Sequence, residues 1–391
     1  MRYGGRTLLY YSCQYRWGLE QMKYNIKRNI SHQAGFTLVE IMIGLVIGML
    51  VAMVIVQVLS MFEGQKRATT GTADAQTNGS IALYNIEREL QLAGYPLMPS
   101  GQPGVADSPM ECTTVTYGAT GITSISPVSI LDGVAGANPA SDQITLHYGT
   151  SQSGGVPSQI GAVAGNTVTL GTAISPGSNF GCQVNDITIV TNGGTCALSS
   201  VTALSAAGVL PITATLQNIT AAVNGASFAC LGPVWNEVVY SVVNGNLVRS
   251  LNGAAPVPVV AGIVNLQAQY GISATTNSNQ IVAWVDASGA TWAAPTVANR
   301  NRIKAIRVAI IARNTKMEPN AVTTACSSTT AASPTGLCAW EGVAAVAPIT
   351  TASPAPAIDL SPGNANWAKY HYRVFETIIP LRNVIWSKAT L

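Results

Sequence analysis

One long apolar run dominates the pattern of hydrophobic and polar positions along the chain. It begins at Phe36, after a polar stretch, and continues to Phe62 with a single acid, Glu40, near its start. A bilayer core needs about 20 mostly apolar residues in a helix, so residues 36–62 are predicted to form a helix that can cross a membrane. A carboxylate inside a membrane costs roughly 2.5–3.5 kcal/mol on insertion scales, which implies that Glu40 has a partner.

A second helical pattern follows at 63–95. Residues 63–79 are polar and contain three glycines, so their helix propensity is poor. Apolar side chains then recur at steps of three and four, at Leu83, Ile86, Leu90 and Ala93. We therefore predict that 63–95 is the outer, partly amphipathic half of one long helix, which Gly94 and Pro96 end.

Residues 96–391 change to a composition of Thr, Val, Ala, Gly, Ser and Asn, which favours strands and turns. The clearest hairpin is 236–251, because Asn244–Gly245 suits a two-residue type I′ turn. Further strands are expected at 143–148, 166–170, 186–190, 259–272, 280–285, 302–314 and 369–381. The predicted fold class is α+β: a long N-terminal hydrophobic helix packed on a mostly antiparallel sheet domain with long loops.

The phrase GFTLVE at Gly35–Glu40, followed by an unbroken apolar helix, resembles the processing site of type IV prepilins and type II secretion pseudopilins. The resemblance implies that a prepilin peptidase cuts between Gly35 and Phe36 and methylates Phe36. It also implies that Glu40 is needed for assembly. Residues 1–35 would then be a leader, for which Met22 is an internal candidate start. The alternative is a plain signal anchor with an incidental acid.

The phrase ERELQLAGY at 87–95 resembles the helix end of the PilW-type minor pilins and of pseudopilin J. A series of phrases in 236–388, which closes with YRVFETIIPLRNVIW at Tyr372–Trp386, is similar to the PilW-type minor pilins. The resemblance covers 36–95 and 236–388 but hardly any of 97–235. It implies a structural minor pilin that initiates pilus assembly at the fibre tip. Implied partners are other minor pilins, the major pilin, the prepilin peptidase and the inner-membrane assembly machinery, with a tip adhesin as a further candidate.

Two alternatives stay open. A J-like pseudopilin of type II secretion shares the motif, although the closing phrase at 372–386 favours the pilus. From a different class, a membrane-anchored periplasmic binding or adhesive domain would share the anchor but never polymerise.

Charge supports this organisation. Residues 1–35 hold six of the 20 basic and one of the 17 acidic side chains, so the remainder has 14 and 16 and a net charge of −2. Nucleic-acid contact therefore has no electrostatic support. The basic segment before the apolar run predicts a single pass with the leader in the cytoplasm and the C-terminal domain in the periplasm.

Six cysteines lie beyond the helix, and an even set in a translocated domain favours disulfides over reduced core thiols. No C-x-x-C pair is present, so a structural zinc site has little support. Spacing suggests Cys326–Cys338 and Cys182–Cys196, which leaves Cys112 and Cys230, but six cysteines allow 15 connectivities.

Chemistry-bearing residues are sparse beyond the leader. His147 and His371 each lie beside tyrosine in an expected strand, and a histidine that faces water or hydrogen-bonds locally is the simplest interpretation. The acids lack EF-hand spacing, and no catalytic motif is present. The sequence therefore predicts no enzyme activity and no cofactor. Gly44 and Gly48 form a G-x-x-x-G that either lets two membrane helices approach closely or reflects the abundance of glycine in such helices.

Overall fold

The computed structural model describes residues 35–97, 108–118, 120–133, 141–152, 154–170, 181–206, 212–217, 222–327, 335–340, 342, 344–353 and 358–386. Helix α1 runs from Leu38 to Leu90. Contacts divide the chain into two units, with the boundary between Met61 and Phe62. Residues 1–34 of the proposed leader 1–35 lie outside the described residues, and these include Cys13 and Met22.

The second unit contains sixteen described strands and three short helices. The strands are β1 (Thr114–Thr116), β2 (Val128–Leu131), β3 (Gln143–Gly149), β4 (Ser158–Ala164), β5 (Thr167–Leu170), β6 (Ile187–Asn192), β7 (Thr195–Leu204), β8 (Thr213–Leu216), β9 (Ser227–Gly232), β10 (Trp235–Val243), β11 (Asn246–Leu251), β12 (Val257–Ala261), β13 (Ile263–Ser273), β14 (Ile281–Val285), β15 (Ile303–Arg313) and β16 (Tyr372–Pro380). The short helices are α2 (Gly289–Trp292), α3 (Val297–Arg300) and α4 (Arg382–Trp386).

Two antiparallel sheets form the body of this unit. One has the order β14-β13-β15-β16 and the other β12-β11-β10-β3-β2. The predicted hairpin is confirmed: β10 pairs with β11, and Asn244 and Gly245 have φ angles of 50° and 73°, as a type I′ turn requires. The expected strand at 259–272 is wrong in one respect, because Gly262, with a φ of 78°, interrupts it and separates β12 from β13.

The expected packing of the outer half of α1 on the sheet domain is confirmed. Ile86 and Leu90 of α1, and Ala93 just beyond its end, are fully buried. They share a core with Ile306 and Val308, which lie on one face of β15. The opposite face of β15 has a separate cover, since Ala309 and Ile311 pack against Leu337, Ala339 and Trp340. Both faces of β15 are therefore buried, which explains its nearly continuous apolar sequence.

Residues 63–79 are helical throughout, despite their poor propensity. This stretch lies in the second unit and packs within it, since Ala75 is buried and a Cβ added at Gly71 would lie 3.4 Å from Asn314 Cβ. Four hydroxyls donate hydrogen bonds to the carbonyls four residues before them, those of Thr69, Thr70, Thr77 and Ser80. Tertiary packing has overridden local preference here.

The middle of the chain forms a closed barrel that the sequence did not predict. Strands β4, β5, β8, β7, β6 and β9 pair in a ring of antiparallel ladders, and β1 extends it by parallel pairing with β7. Val190, Ala197 and Phe228 fill the interior with other small and apolar side chains, whereas their neighbours Ile189, Leu198 and Ala229 belong to the main core. The barrel therefore shares one wall with the rest of the unit.

Three disulfides join the six cysteines. Cys326–Cys338 is present as predicted, but the other two expected pairs are wrong. The structure has Cys112–Cys196 and Cys182–Cys230 instead. The prediction from spacing failed because strand β6 lies between Cys182 and Cys196. The two side chains lie in different cores, Cys182 in the barrel core and Cys196 in the main core.

Candidate assembly site

The start of α1 is a reciprocal cap built from Thr37 and Glu40. The Glu40 backbone N–H donates to the Thr37 hydroxyl oxygen at 3.3 Å, while the Thr37 backbone N–H and hydroxyl each donate to Glu40 Oε2 at 3.1 Å. A hydroxyl residue followed three positions later by Glu is the signature of a capping box. The sequence analysis gave Glu40 a role in assembly; the capping role was not predicted, although the T-x-x-E spacing at Thr37–Glu40 signals it.

This cap fixes where the carboxylate lies. Glu40 sits in the first turn of α1, where the unsatisfied backbone N–H groups make the helix end electropositive. Gly35 and Phe36 precede the helix, and both are exposed. The structure thus places the predicted processing and assembly residues within one short, accessible segment.

The apolar segment that follows has no cover within the described residues. The helix is long and apolar enough to cross a membrane, its best 18-residue window has a mean hydropathy of 2.8, and none of that window is buried. A Cβ added at Gly44 or Gly48 would meet nothing within 4 Å, so both glycines lie on open helix surface. So much contiguous exposed apolar surface marks a membrane or protein contact.

Farther along, within the second unit, a charged contact anchors α1 to the five-stranded sheet. Arg249 on β11 donates from Nη2 to Glu89 Oε1 at 2.8 Å and from Nε to both carboxylate oxygens at 3.1 Å. The two side chains are about a fifth to a quarter exposed. Burial and the nearby Glu89 carboxylate raise the pKa of Tyr240, which packs beside the pair. The bidentate geometry fixes the rotation of α1 against the five-stranded sheet.

The two histidines have different surroundings. His147 is buried and stacks on Trp235, with Nδ1 at 2.7 Å from the Ser126 carbonyl and Nε2 at 3.2 Å from Glu237 Oε2. His371 is exposed and lies 4.0 Å from Glu318 Oε1. His147 lies in β3 as expected, whereas His371 lies just before β16 rather than in a strand. Both side chains have local polar contacts.

The described residues contain no group of three or more His, Cys, Asp or Glu side chains arranged to hold a metal ion. The most perturbed acid is Asp142, which accepts hydrogen bonds from the backbone N–H groups of Ala268 at 2.7 Å and Gly133 at 3.1 Å. Burial, with a smaller contribution from the charges of Asp132 and Asp286, raises its pKa to about 7, although the two backbone N–H donors act in the opposite direction. These acids tie loop ends to β13 and form a structural cluster.

An exposed apolar N-terminal helix with an acid in its first turn, docked through its outer half on an antiparallel β domain, defines a pilin-like protein. The comparisons with known families agree. Residues 239–383 match the family described as Type IV Pilus-assembly protein W, and residues 30–56 match the prokaryotic N-terminal methylation motif. The resemblance to PilW-type pilins is thereby confirmed, and the two matches together support a pilin-like protein associated with type IV pili. No curated protein and no solved structure matches it significantly.

Proposed function

We propose that this protein is a minor pilin that is cleaved after Gly35, methylated at Phe36 and assembled through Glu40 into a complex of minor pilins that initiates the fibre and lies at its tip. The observation that carries the proposal is the fully exposed apolar helix with Glu40 in its first turn, directly after the Gly35–Phe36 pair. Before assembly, the helix spans the inner membrane and the β domain lies in the periplasm. Other minor pilins, the major pilin and the assembly machinery are its partners.

Glu40 acts in two successive ways in this mechanism. In the precursor it caps its own helix through Thr37. After cleavage, Phe36 carries a cationic amine, and the Glu40 carboxylate of one subunit pairs with the amine of its neighbour when their helices pack. An unpaired charge in low dielectric is far more costly than a paired one, so the pairing sets the register between subunits.

The match at 239–383 includes most of the closing phrase that distinguishes the pilus proteins from J-like pseudopilins, so it favours pilus assembly over secretion. Gly44 and Gly48 offer open helix surface on which a neighbouring helix can pack closely. In this proposal the protein catalyses no reaction and binds no cofactor.

Substitution of Glu40 separates the two roles. Glu40→Gln retains a side chain that can complete the capping box but removes the charge, whereas Thr37→Ala removes the cap and keeps the charge. We expect Glu40→Gln and Glu40→Ala to insert and be cleaved normally. Both should lose cross-linking to other pilins and restore few surface pili in a deletion strain. A broken buried pair costs roughly 3–5 kcal/mol, which one helix contact does not recover.

Thr37→Ala should assemble much better than either Glu40 variant, and Gln57→Ala, a polar change within the same apolar run, serves as a matched control. If Glu40→Gln restores piliation as well as the wild type does, the pairing role of Glu40 is wrong. If Thr37→Ala is the only variant that does not restore surface pili, residues 35–40 act in assembly through helix capping alone.

A further inference from the structure

Three chain segments meet at one end of the second unit, beside the first turn of α1 after Phe62. Lys316 Nζ donates to the Gly64 carbonyl at 3.3 Å, and the Glu318 N–H donates to the Lys369 carbonyl at 2.8 Å. The Val322 N–H donates to the Ala368 carbonyl at 2.7 Å. We call residues 63–66, 315–323 and 366–373 together the basal rim.

The basal rim differs from the rest of the protein in charge. Its described side chains include four bases (Lys66, Lys316, Lys369 and Arg373) and two acids (Glu63 and Glu318), a net charge of +2, whereas residues 36–391 as a whole carry −2. Lys66 and Arg373 are exposed. Glu318 is only 17% exposed and lies against Lys316 at 3.7 Å and His371 at 4.0 Å, so the basic groups dominate the outer surface.

Among the other described bases, Arg88 and Arg382 are exposed, whereas several others are withdrawn from solvent or paired. Lys304 and Arg307 on β15 are buried, and Arg249 is held by Glu89. The basal rim also exposes two apolar side chains, since Met317 is 47% and Val322 43% exposed. Basic groups that flank isolated apolar side chains are typical of surfaces that lie in the interfacial layer of a membrane.

We propose that the basal rim docks on the acidic phospholipid headgroups of the membrane that α1 spans, and thereby holds the β domain against the bilayer until the subunit is extracted. The proposal rests on the proposed function, because it requires residues 36–62 to be inserted. Gly64 lies two residues beyond Phe62, about 3 Å along a helix, and Lys316 contacts its carbonyl. The basal rim is therefore within a Debye length, about 8–10 Å, of the headgroups.

The chemistry favours lipid over a protein partner. Met317 and Val322 are too few to form the apolar centre of a protein interface, which is depleted in charge. Each Lys or Arg near an anionic membrane surface shifts binding by about fivefold, and Lys can keep its ammonium among the headgroups while its stem covers apolar surface. Four bases therefore provide a measurable preference for acidic lipid.

Spin labels on the full chain test this. In a Cys13→Ser background, a nitroxide is attached at Met317→Cys, and its accessibility to oxygen and to a water-soluble nickel complex is measured in two vesicle types. One contains only phosphatidylcholine and the other adds phosphatidylglycerol. We expect several-fold lower nickel accessibility in the phosphatidylglycerol vesicles, and loss of this difference at 1 M salt, where the Debye length is about 3 Å.

Replacing Lys66, Lys316, Lys369 and Arg373 by Gln should abolish the difference in nickel accessibility between the two vesicle types. Each base removed should lower the ratio of docked to undocked protein by about fivefold. Lys316→Arg with Lys369→Arg should retain it. Arg382→Gln, at an exposed base on α4, is the matched control and should have no effect. A label at Ser288→Cys, which follows β14 and lies near Gln269 rather than at the Arg313 end of β15, should stay accessible in both vesicles.

A label at Val54→Cys reports insertion independently. If it is accessible to nickel in both vesicle types, the membrane-spanning proposal fails. If Val54 is protected but the Met317 label is equally accessible in both lipids, or its protection survives neutralisation of the four bases, lipid docking is wrong. Protection that appears only when other pilins are added assigns the basal rim to a protein interface and also overturns the proposal.

Discussion

Two glycines in α1 illustrate how single residues decide the docking of the helix. A Cβ at Gly79 would overlap the Phe375 ring of β16, whereas a Cβ at Gly71 would lie 3.4 Å from Asn314 Cβ, an ordinary contact. Only the first glycine is required by packing, because Phe375 lies against the main core and fills the space that a side chain at 79 would need.

We therefore expect opposite effects from the same substitution at the two sites. Gly79→Ala should destabilise the protein by about 1–3 kcal/mol through overpacking, and Gly71→Ala should be neutral or stabilise it by up to about 1 kcal/mol through helix propensity. Urea unfolding followed by tryptophan fluorescence checks both. Combining Gly79→Ala with Phe375→Ala should recover much of the loss attributable to the overlap, and no coupling between the two sites would contradict this account.

Asp142 makes stability depend on pH. Burial raises its folded pKa to about 7 from an ordinary value of 3.8, so the folded state binds a proton that the unfolded state releases between these two values. Its contribution to stability is therefore fully present below about pH 4 and is lost as the pH rises to about 7. A shift of about three pKa units corresponds to roughly 4 kcal/mol.

Asp142→Asn should flatten the fall in stability between pH 4 and 7, although the variant should be less stable at pH 4, because one amide oxygen cannot accept from both Gly133 and Ala268. Asp359→Asn should keep the fall, because that side chain is exposed and Ser361 lowers its pKa. Unfolding curves at several pH values measure this, and an unchanged slope in Asp142→Asn would refute the assignment.

At the scale of elements, local patterns predicted well those structures whose cause is local. The apolar run specified the start of α1, Asn244–Gly245 specified the hairpin, and alternating apolar residues in β15 specified the face that meets α1. The barrel could not be predicted in this way. Its closure depends on the pairing of β7 with β8 and on a short two-residue ladder between β4 and β9, neither of which leaves a signal in its own strand.

The disulfides show the same limit. Cys112 and Cys196 are separated by 84 residues and meet only because β1 pairs with β7, and Cys182 meets Cys230 across the barrel. Of the three disulfides, only Cys326–Cys338, which closes a loop between cysteines 12 residues apart, was predicted from spacing. Proximity in sequence did not predict the pairing of Cys182 and Cys196, because a strand lies between them.

Removing one disulfide at a time, by replacing both of its cysteines, measures how much each disulfide stabilises the protein. The chain-entropy model gives about 4 kcal/mol for a separation of 48, as in Cys182–Cys230, and about 3 kcal/mol for 12, as in Cys326–Cys338. Replacing both cysteines of a pair by Ala should therefore cost more at 182 and 230, where both side chains are also buried in the barrel core. Peptide mapping without reduction should find all three bridges, and a Cys182–Cys196 peptide would contradict the barrel topology.

At the scale of the whole molecule, the assembly site combines predictable and unpredictable parts. Gly35, Phe36 and Glu40 stand out in the sequence because a charge interrupts an apolar helix beside a conspicuous glycine. The Glu89–Arg249 anchor, 160 residues apart, and the basal rim arise only when the chain is folded.

If the chain is processed and assembled as a pilin, the protein in assembled pili must have a specific N-terminus. The mass of its N-terminal peptide tests this. The protein is isolated from sheared surface pili, digested without prior labelling and analysed by mass spectrometry. We predict a peptide that begins at Phe36 with one methyl group on its amine, because Gly35 precedes the apolar helix and Glu40. A protein in assembled pili that still carries residues before Phe36 would contradict the account.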